Sequence, residues 1–299
     1  KIMQQTGLNS LRANDYFSGD VKIIKKIKPG PVVFIVTNGI GAVEAVIRDS
    51  DFNQGDIVHI KGKVNEHRGR MQIEIDEIVK SNMDFEAIIL QRSNPQRTEL
   101  SIKSERLEKM KPVMLDIAKR IRKAVLEGQP IMIRHHNDAD GIISGLSLEH
   151  ACLKLMQDLN IDPKFMIFRS PSRAPFYASG DLFRDILLSK KLIEGQSDIK
   201  PLIIIADNGS SPEDKFGLSS LKTLGYEAMV IDHHNPVVLN NGITSVDEYL
   251  SHHLNPYKHG LDGKTSAGML CYEIGRFVSE NFEQPLFAAV SGIADRCDI

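Results

Sequence analysis

Three short apolar segments constrain the fold of this chain more than any other feature. They cover residues 131–133, 202–205 and 229–231, and acids and histidines follow each of them closely. Short runs without polar residues are typical of strands buried on both faces of a parallel sheet. Binding sites in open α/β sheets form at the carboxyl ends of the strands. We therefore expect the polar residues that follow these segments to lie together at the carboxyl edge of the sheet.

The polar residues at this edge are mostly carboxylates and imidazoles. Carboxylates at close range repel one another strongly unless cations lie between them. Imidazoles suit transition metals such as manganese, and a neighbouring acid can fix their orientation. The sequence therefore predicts a site for two divalent metal ions, and the residues that follow the three segments are His135, His136, Asp138, Asp140, Asp207, Asp232, His233 and His234.

An EF-hand calcium loop is the nearest alternative for the first cluster. Such a loop needs a glutamate at its twelfth position, and counting from His136 that position is Ser147. The cluster also lies between a predicted strand and a predicted helix over residues 142–155, which excludes the calcium loop. We expect Gly141 to let the backbone turn tightly into that helix.

The N-terminal part of the chain has the pattern of a small all-β unit. Strands are predicted at residues 21–27, 32–36, 41–47, 57–64 and 71–79, with residues 65–70 as a hairpin loop. About five strands in this length, with glycine-rich corners, favour a barrel that resembles the nucleic-acid-binding OB fold. Its basic residues are either a solvated face or contacts for a single strand, for which we single out Lys61, Lys63, Arg68 and Arg70.

A helical connector follows the barrel. Apolar residues recur at helical spacing from Leu107 to Val125, and Pro112 is expected to kink this pattern or to start a second helix. We therefore divide the chain into a barrel at residues 1–83, a connector at 84–129 and a catalytic domain at 130–299.

Charge and cysteine usage limit the class of protein. Residues 1–130 carry 22 Lys and Arg against 17 Asp and Glu, whereas residues 131–299 carry 15 against 22. The basic first part suits a polyanionic partner. The three scattered cysteines favour a reducing cytoplasm, and neither a secretory signal nor a membrane-spanning run is present in the sequence. We expect a cytoplasmic protein with no membrane partner.

The motifs of residues 105–299 resemble those of the DHH phosphoesterase superfamily, and in particular the archaeal-type RecJ-like exonucleases. The matching motifs are His136-x-Asp138-x-Asp140-Gly141, Asp207 after an isoleucine strand, Asp232-His233-His234, and a small-residue segment that ends at Asp295. The resemblance implies an α/β fold in which a DHH-type parallel-sheet catalytic domain follows the OB-like barrel and the connector. Arg134 occupies the position at which several members of the superfamily have a ligating histidine.

The resemblance also implies roles for individual residues. Asp138 and Asp207 would hold one ion, with His136 as a further ligand. A second ion would be held by Asp140, Asp207, His233 and Asp295. His234 would contact the scissile phosphate and Asp232 would orient the imidazoles. Manganese is the expected metal and magnesium the alternative.

The implied function is hydrolysis of single-stranded DNA or RNA from the 5′ end by a water activated between two metal ions. Two alternatives stay open: a phosphodiesterase for short oligonucleotides or cyclic dinucleotides, and a non-catalytic scaffold that binds nucleic acid together with replication or repair proteins. Residue 1 is a lysine, and no DHH-associated domain follows Asp295. We therefore expect a fragment of a longer protein, with little turnover on its own.

Overall fold

The computed structural model describes residues 7–27, 30–193, 199–239 and 242–297. Its N-terminal part is a closed barrel of β1 (Tyr16–Ile27), β2 (Val32–Thr37), β3 (Ala42–Ile47), β4 (Ile57–His67) and β5 (Arg70–Lys80), in the order β1-β2-β3-β5-β4. Alternate residues of these strands point into a compact apolar core that includes Val21, Phe34 and Ile60. The predicted OB-like barrel is confirmed.

The hairpin between β4 and β5 is tighter than the sequence predicts. The prediction of a loop over residues 65–70 is wrong, because the two strands remain paired up to His67 and Arg70. Only Arg68 and Gly69 form the turn, with φ values of 53° and 78°. Two consecutive positive φ values match the right-handed twist of the paired strands. Polar residues extend the strands here because an antiparallel hairpin can be solvated on one face.

Two helices connect the barrel to the rest of the chain, α1 (Phe85–Arg92) and α2 (Glu105–Leu126). Pro112 is exposed and lies inside α2, so it does not start a new helix. The opposite side of α2, which includes Met110, Met114 and Ile117, is fully buried and packs in the main core of the molecule.

The C-terminal part contains a parallel sheet in the order β10-β9-β8-β6-β7. Its strands are β6 (Ile131–His135), β7 (Ile167–Pro171), β8 (Leu202–Ala206), β9 (Glu227–Ile231) and β10 (His252–Leu254). Ile131 and Ile133 enter one core and Met132 the other, so β6 is buried on both faces as predicted. The sequence analysis did not predict the edge strands β7 and β10. Neither has a run of buried apolar residues, because β7 is only half buried and β10 has only three residues.

Helices cover both faces of this sheet. The remaining helices are α3 (Ala139–Asp158), α4 (Ser179–Ile193), α5 (Lys215–Thr223), α6 (Ala267–Val278) and α7 (Pro285–Ala294). Helices α2, α3, α6 and α7 share a core with one face, and α4 and α5 share a core with the other. This three-layer α/β architecture agrees with the predicted fold class. Among the described residues, no helix combines the length and apolar character that a membrane span requires.

The barrel packs directly on the α/β unit. The backbone N–H of Ala42 in β3 donates to the carbonyl of Leu159 at 3.0 Å, just beyond α3. Arg70, at the start of β5, forms an ion pair of 3.0 Å with Asp162. Ile24 and Ile35 of the barrel also pack against the core beneath the sheet.

Candidate metal centre

The first group of candidate ligands lies where β6 passes into α3. Asp138 is the N-cap of α3, and its carboxylate accepts a hydrogen bond of 2.9 Å from the N–H of Gly141. Nδ1 of His136 lies 2.8 Å from Oδ2 of Asp138. A Cβ at Gly141 would lie 2.3 Å from the carbonyl oxygen of His136. Glycine is therefore required here because the backbone of α3 approaches the backbone of His136 just before the helix, where the chain turns tightly into it.

Asp207 lies at the centre of the cluster, directly after β8. Its φ of 58° is unusual for a residue other than glycine, and such strain is typical of functional sites. Its carboxylate lies 3.6 Å from Nδ1 of His136 and 3.3 Å from Nε2 of His233. Burial alone would raise the pKa of Asp207, but its contacts with His136 and His233 outweigh burial and lower it. Both carboxylate oxygens are buried without a hydrogen-bond partner.

Asp232 fixes the two histidines that follow it after β9. Its Oδ1 accepts hydrogen bonds from the N–H of His233 at 2.8 Å and from Nδ1 of His234 at 2.7 Å. Nδ1 of His233 donates to the carbonyl of Gly263 at 2.8 Å. Because both Nδ1 atoms donate, Nε2 is the ring nitrogen of each histidine that is left for other partners, as an N–H donor in the protonated ring and as a metal ligand once that proton is lost. The side chain of His234 is 50% exposed, so its ring is accessible from solvent.

Asp140 is held by the opposite wall of the cluster. It accepts from the N–H groups of Ala267 at 2.9 Å and Gly268 at 2.7 Å, at the start of α6, and from the hydroxyl of Ser291 at 2.5 Å. Burial and the neighbouring Asp207 carboxylate raise the pKa of Asp140. The sequence analysis assigned no role to these three partners, although Ser291 lies in the small-residue segment that ends at Asp295.

Asp295 completes the cluster from the end of α7. It is the C-cap residue of that helix, and its Oδ2 lies 3.0 Å from Nε2 of His233. His233 therefore faces Asp140, Asp207 and Asp295, at 3.5, 3.3 and 3.0 Å. The pKa of Asp295 is raised, chiefly by burial.

These side chains fit divalent metal ions. Single donor atoms lie within 4.8 Å of one another in three sets: His136, Asp138 and Asp207; Asp140, His233 and Asp295; and Asp207, His233 and His234. The buried oxygens of Asp207 have no hydrogen-bond partner. Unpaired buried polar atoms are costly, and bound cations would satisfy them. Oxygen and imidazole donors are the ligand types expected for manganese-like ions.

The basic residues singled out on the barrel lie outside this cluster. Lys61 and Lys63 lie on β4, and Lys61 forms an ion pair of 2.9 Å with Glu77. Arg68 lies in the β4–β5 turn, and Arg70 pairs with Asp162. The structure thus separates these four residues from the carboxylates instead of adding them to the same site.

Arg134 points away from the candidate ligands. Its guanidinium forms ion pairs with Asp185 and, at 3.6 Å, with Asp181, and it donates to the carbonyl of Pro171 at 2.7 Å. It lines a cavity of about 650 Å³ that also includes Arg173 and Arg184. The amide of Asn208, next to Asp207, donates to Ser172 in the wall of this cavity at 3.1 Å.

Comparisons with known proteins identify relatives of the α/β unit that carries this cluster. A model of the N-terminal domain of the DHH family matches residues 130–289. The chain is 39% identical over 285 residues to the uncharacterized protein MJ1198 of Methanocaldococcus jannaschii, covering 89% of this chain and 37% of that protein.

Two solved structures are also similar to this chain. The DHH domain of a protein from a family of ribosomal proteins is 36% identical with a TM-score of 0.66, and the match covers 72% of this chain and 50% of that one. A RecJ from Thermus thermophilus in complex with Mn²⁺ is 17% identical with a TM-score of 0.43, covering 71% and 28%. The chain spans no more than half the length of these relatives. With the family model matching more than half of its residues, this chain belongs to the DHH family.

Proposed function

We propose that this protein is a metal-dependent phosphodiesterase that hydrolyses single-stranded nucleic acid as an exonuclease, starting from the 5′ end. One observation carries the proposal. The structure brings four carboxylates and three imidazoles from separate segments to one sheet edge, around the buried and unpartnered oxygens of Asp207. Such an arrangement is costly unless cations compensate it.

Two ions would be held by separate sets of residues. His136, Asp138 and Asp207 would hold the first, and Asp140, His233 and Asp295 the second, with Asp207 close to both. Manganese is the expected ion and magnesium the alternative. When bound, such ions polarise a phosphate ester and provide an activated water at neutral pH.

His234 and Asp232 would act directly beside the ions. Because the Nδ1 of His234 donates to Asp232, its Nε2 is the ring nitrogen that faces a substrate, and in the protonated ring the Nε2–H would donate to a scissile phosphate. The exposure of His234 leaves room for a substrate to approach it. Asp232 is buried and accepts two further backbone hydrogen bonds from residues 233 and 234, so it fixes the ring instead of exchanging protons.

Two features support a nucleic acid as the substrate. The closed barrel packs on the α/β unit and has the architecture of proteins that bind single strands. The cavity beside Asn208 offers Arg173 and Arg184 as contacts for phosphates that flank the scissile one. Lys61, Lys63, Arg68 and Arg70 on the barrel would bind the strand further from the ions.

Manganese-soaked crystals would test the metal sites directly. Anomalous scattering should give two peaks, one between His136, Asp138 and Asp207 and one between Asp140, His233 and Asp295. A single peak, or none near Asp207, would contradict the two-metal proposal.

Cleavage of labelled single strands of graded length would test the reaction. We expect stepwise shortening of long strands with Mn²⁺, slow for this chain on its own, in line with the low turnover predicted above. Asp207→Asn should lower the rate by more than about 100-fold, because replacing a ligand itself should cost at least as much as the roughly 10- to 100-fold loss that is typical when a residue hydrogen-bonded to a ligand is changed. Asp116→Asn makes the same change on the exposed face of α2 and should retain activity. Cleavage of only very short or cyclic substrates would favour a small-substrate phosphodiesterase, and strand binding without cleavage would favour a scaffold.

A further inference from the structure

A buried chain of hydrogen bonds lies behind the candidate metal centre and has no part in the proposed reaction. Nδ1 of His253 lies 2.5 Å from Oδ1 of Asp247, and its Nε2 lies 2.9 Å from Oγ of Ser210. Asp247 is held in turn by Lys258 at 2.6 Å and by the N–H of Thr244 at 2.8 Å. The order Asp, His, Ser resembles the constellation of serine hydrolases.

Burial excludes Ser210 as a nucleophile. Its residue is 1% exposed, and His253 is 7% exposed, so no substrate reaches the hydroxyl. The amide of Asn255 donates to the same Oγ at 3.0 Å. In the tautomer of His253 whose Nδ1–H donates to Asp247, Nε2 is an acceptor, and the Ser210 hydroxyl, which already accepts from Asn255, donates to it.

The chain leads to the residues that orient His234. The backbone N–H of Ser210 donates to Oδ2 of Asp232 at 3.2 Å, and Oδ1 of Asp232 accepts from Nδ1 of His234. Asn255 also donates to the carbonyl of His234 at 2.9 Å. The hydroxyl, amide and carboxylate contacts therefore hold both ends of the Asp232–His234 segment.

Topology explains why these residues meet. His253 lies on β10 beside Val230 of β9, and the N–H of Asp232 donates to the carbonyl of Leu254 at 3.0 Å. The short strand β10 thus continues the sheet past the end of β9. It places His253 and Asn255 against the loop that begins at Asp207.

We infer that His253 and Ser210 are positioning residues, which hold Asp232 in the orientation that presents the ring of His234 to the substrate. Only the expected effect on kcat rests on the proposed function; the expected effect on the orientation of His234 does not. The essential contact is the acceptor that Nε2 of His253 offers to the Ser210 hydroxyl, since this contact fixes the loop that carries the Ser210 N–H.

Two variants of the same residue separate this role from general support of the fold. In His253→Gln the side-chain oxygen reaches the position of Nε2 and still accepts from Ser210. In His253→Asn the amide mimics Nδ1 toward Asp247 but offers no acceptor to Ser210. Both variants place an uncharged amide in the same buried space. His252→Asn, at the neighbouring residue on the other side of β10, serves as the control.

The first measurement is the ring N–H resonance of His234 in the full chain labelled with ¹⁵N-histidine, assigned by its loss in His234→Ala. We expect His253→Gln and His252→Asn to keep this resonance, and His253→Asn to shift or lose it. The inference is overturned if His253→Asn keeps the wild-type resonance, or if both His253 variants lose it to the same extent.

The second measurement is the hydrolysis of a single strand with Mn²⁺. We expect kcat of His253→Asn to fall by roughly 10- to 100-fold, as for outer partners of functional histidines, with KM changed less than about twofold. His253→Gln should stay within about threefold of wild type on the same scale. Equal kcat in the two variants overturns the inference. If the wild type hydrolyses nothing, the proposed function fails, and the resonance of His234 still decides this inference.

Discussion

Nε2 of His233 lies 3.3 Å from Oδ1 of Asp207, although the two residues follow different strands of the sheet. This pair joins the two candidate ion sites, because Asp207 also faces His136 while His233 faces Asp140 and Asp295. An imidazole and a carboxylate at this distance attract each other when the imidazole is protonated. Protonated imidazoles therefore hold these acids together, and a metal ion that binds here would displace their protons.

Metal binding should release protons and strengthen as the pH rises. Burial lowers the pKa of His233, but contacts with Asp207 and the Gly263 carbonyl raise it to about 10, and the hydrogen bond to Asp232 raises that of His234 to about 9. A raised pKa means that His233 is protonated at neutral pH, and a metal ligand must lose that proton. Calorimetric titration of Mn²⁺ in two buffers with different ionisation enthalpies would measure the release.

The affinity for Mn²⁺ should change with pH in one direction. Affinity should rise between pH 6 and pH 9, because fewer protons compete at the higher pH, and the His233→Gln variant should release fewer protons than wild type. A pH-independent affinity in the wild type would contradict the assignment of His233 as a ligand.

Gly268→Ala should weaken metal binding. A Cβ at this position would lie 2.4 Å from Oγ of Ser291 and 2.7 Å from Oδ1 of Asp140, so Asp140 would have to move. Alanine is otherwise favoured in a helix by up to about 1 kcal/mol. Gly180→Ala is the matched control, since it lies in the first turn of α4 with nothing within 4 Å of the added Cβ. Urea unfolding and Mn²⁺ titration should show losses in Gly268→Ala only.

Arg173→Gln should raise KM with little change in kcat. The residue is exposed in the wall of the cavity beside Asn208, where it would contact a phosphate that does not react. A hydrogen bond to a charged group contributes about 1.5–3 kcal/mol, so KM should rise roughly 10-fold or more. Lys109→Gln removes one positive charge from the exposed face of α2 and should leave KM unchanged. An equal effect of both variants would indicate long-range charge and no local contact.

Of the four basic residues proposed to bind single strands, the exposed ones on the barrel should contribute most. Lys61 is paired with Glu77, whereas Lys63 and Arg68 are exposed. Lys63→Gln with Arg68→Asn should lower the affinity for single-stranded DNA and reduce its salt dependence by about one counterion per lost phosphate contact. Asparagine tolerates the positive φ at position 68. Lys80→Gln, at the end of β5, is the control, and an unchanged salt slope in the double variant would argue against this surface.

The sequence alone determined three of the five parallel strands, the barrel and most of the candidate ligands. Runs without polar residues can only be buried on both faces, and acids directly after such strands must collect at one edge, so β6, β8 and β9 followed from local patterns. The resemblance to the family added Asp295 to this list and implied a role for each residue.

Only the tertiary structure decided how these residues are held. Three contacts illustrate this: the N–H groups of α6 donate to Asp140, the backbone at Gly141 lies close to His136, and Arg134 pairs with Asp185. None of them can be predicted from the spacing of apolar residues. The edge strand β10 and the contact of His253 with Ser210 are of the same kind. Local pattern reports which face of an element is buried, whereas the partner on that face depends on how the whole chain closes around it.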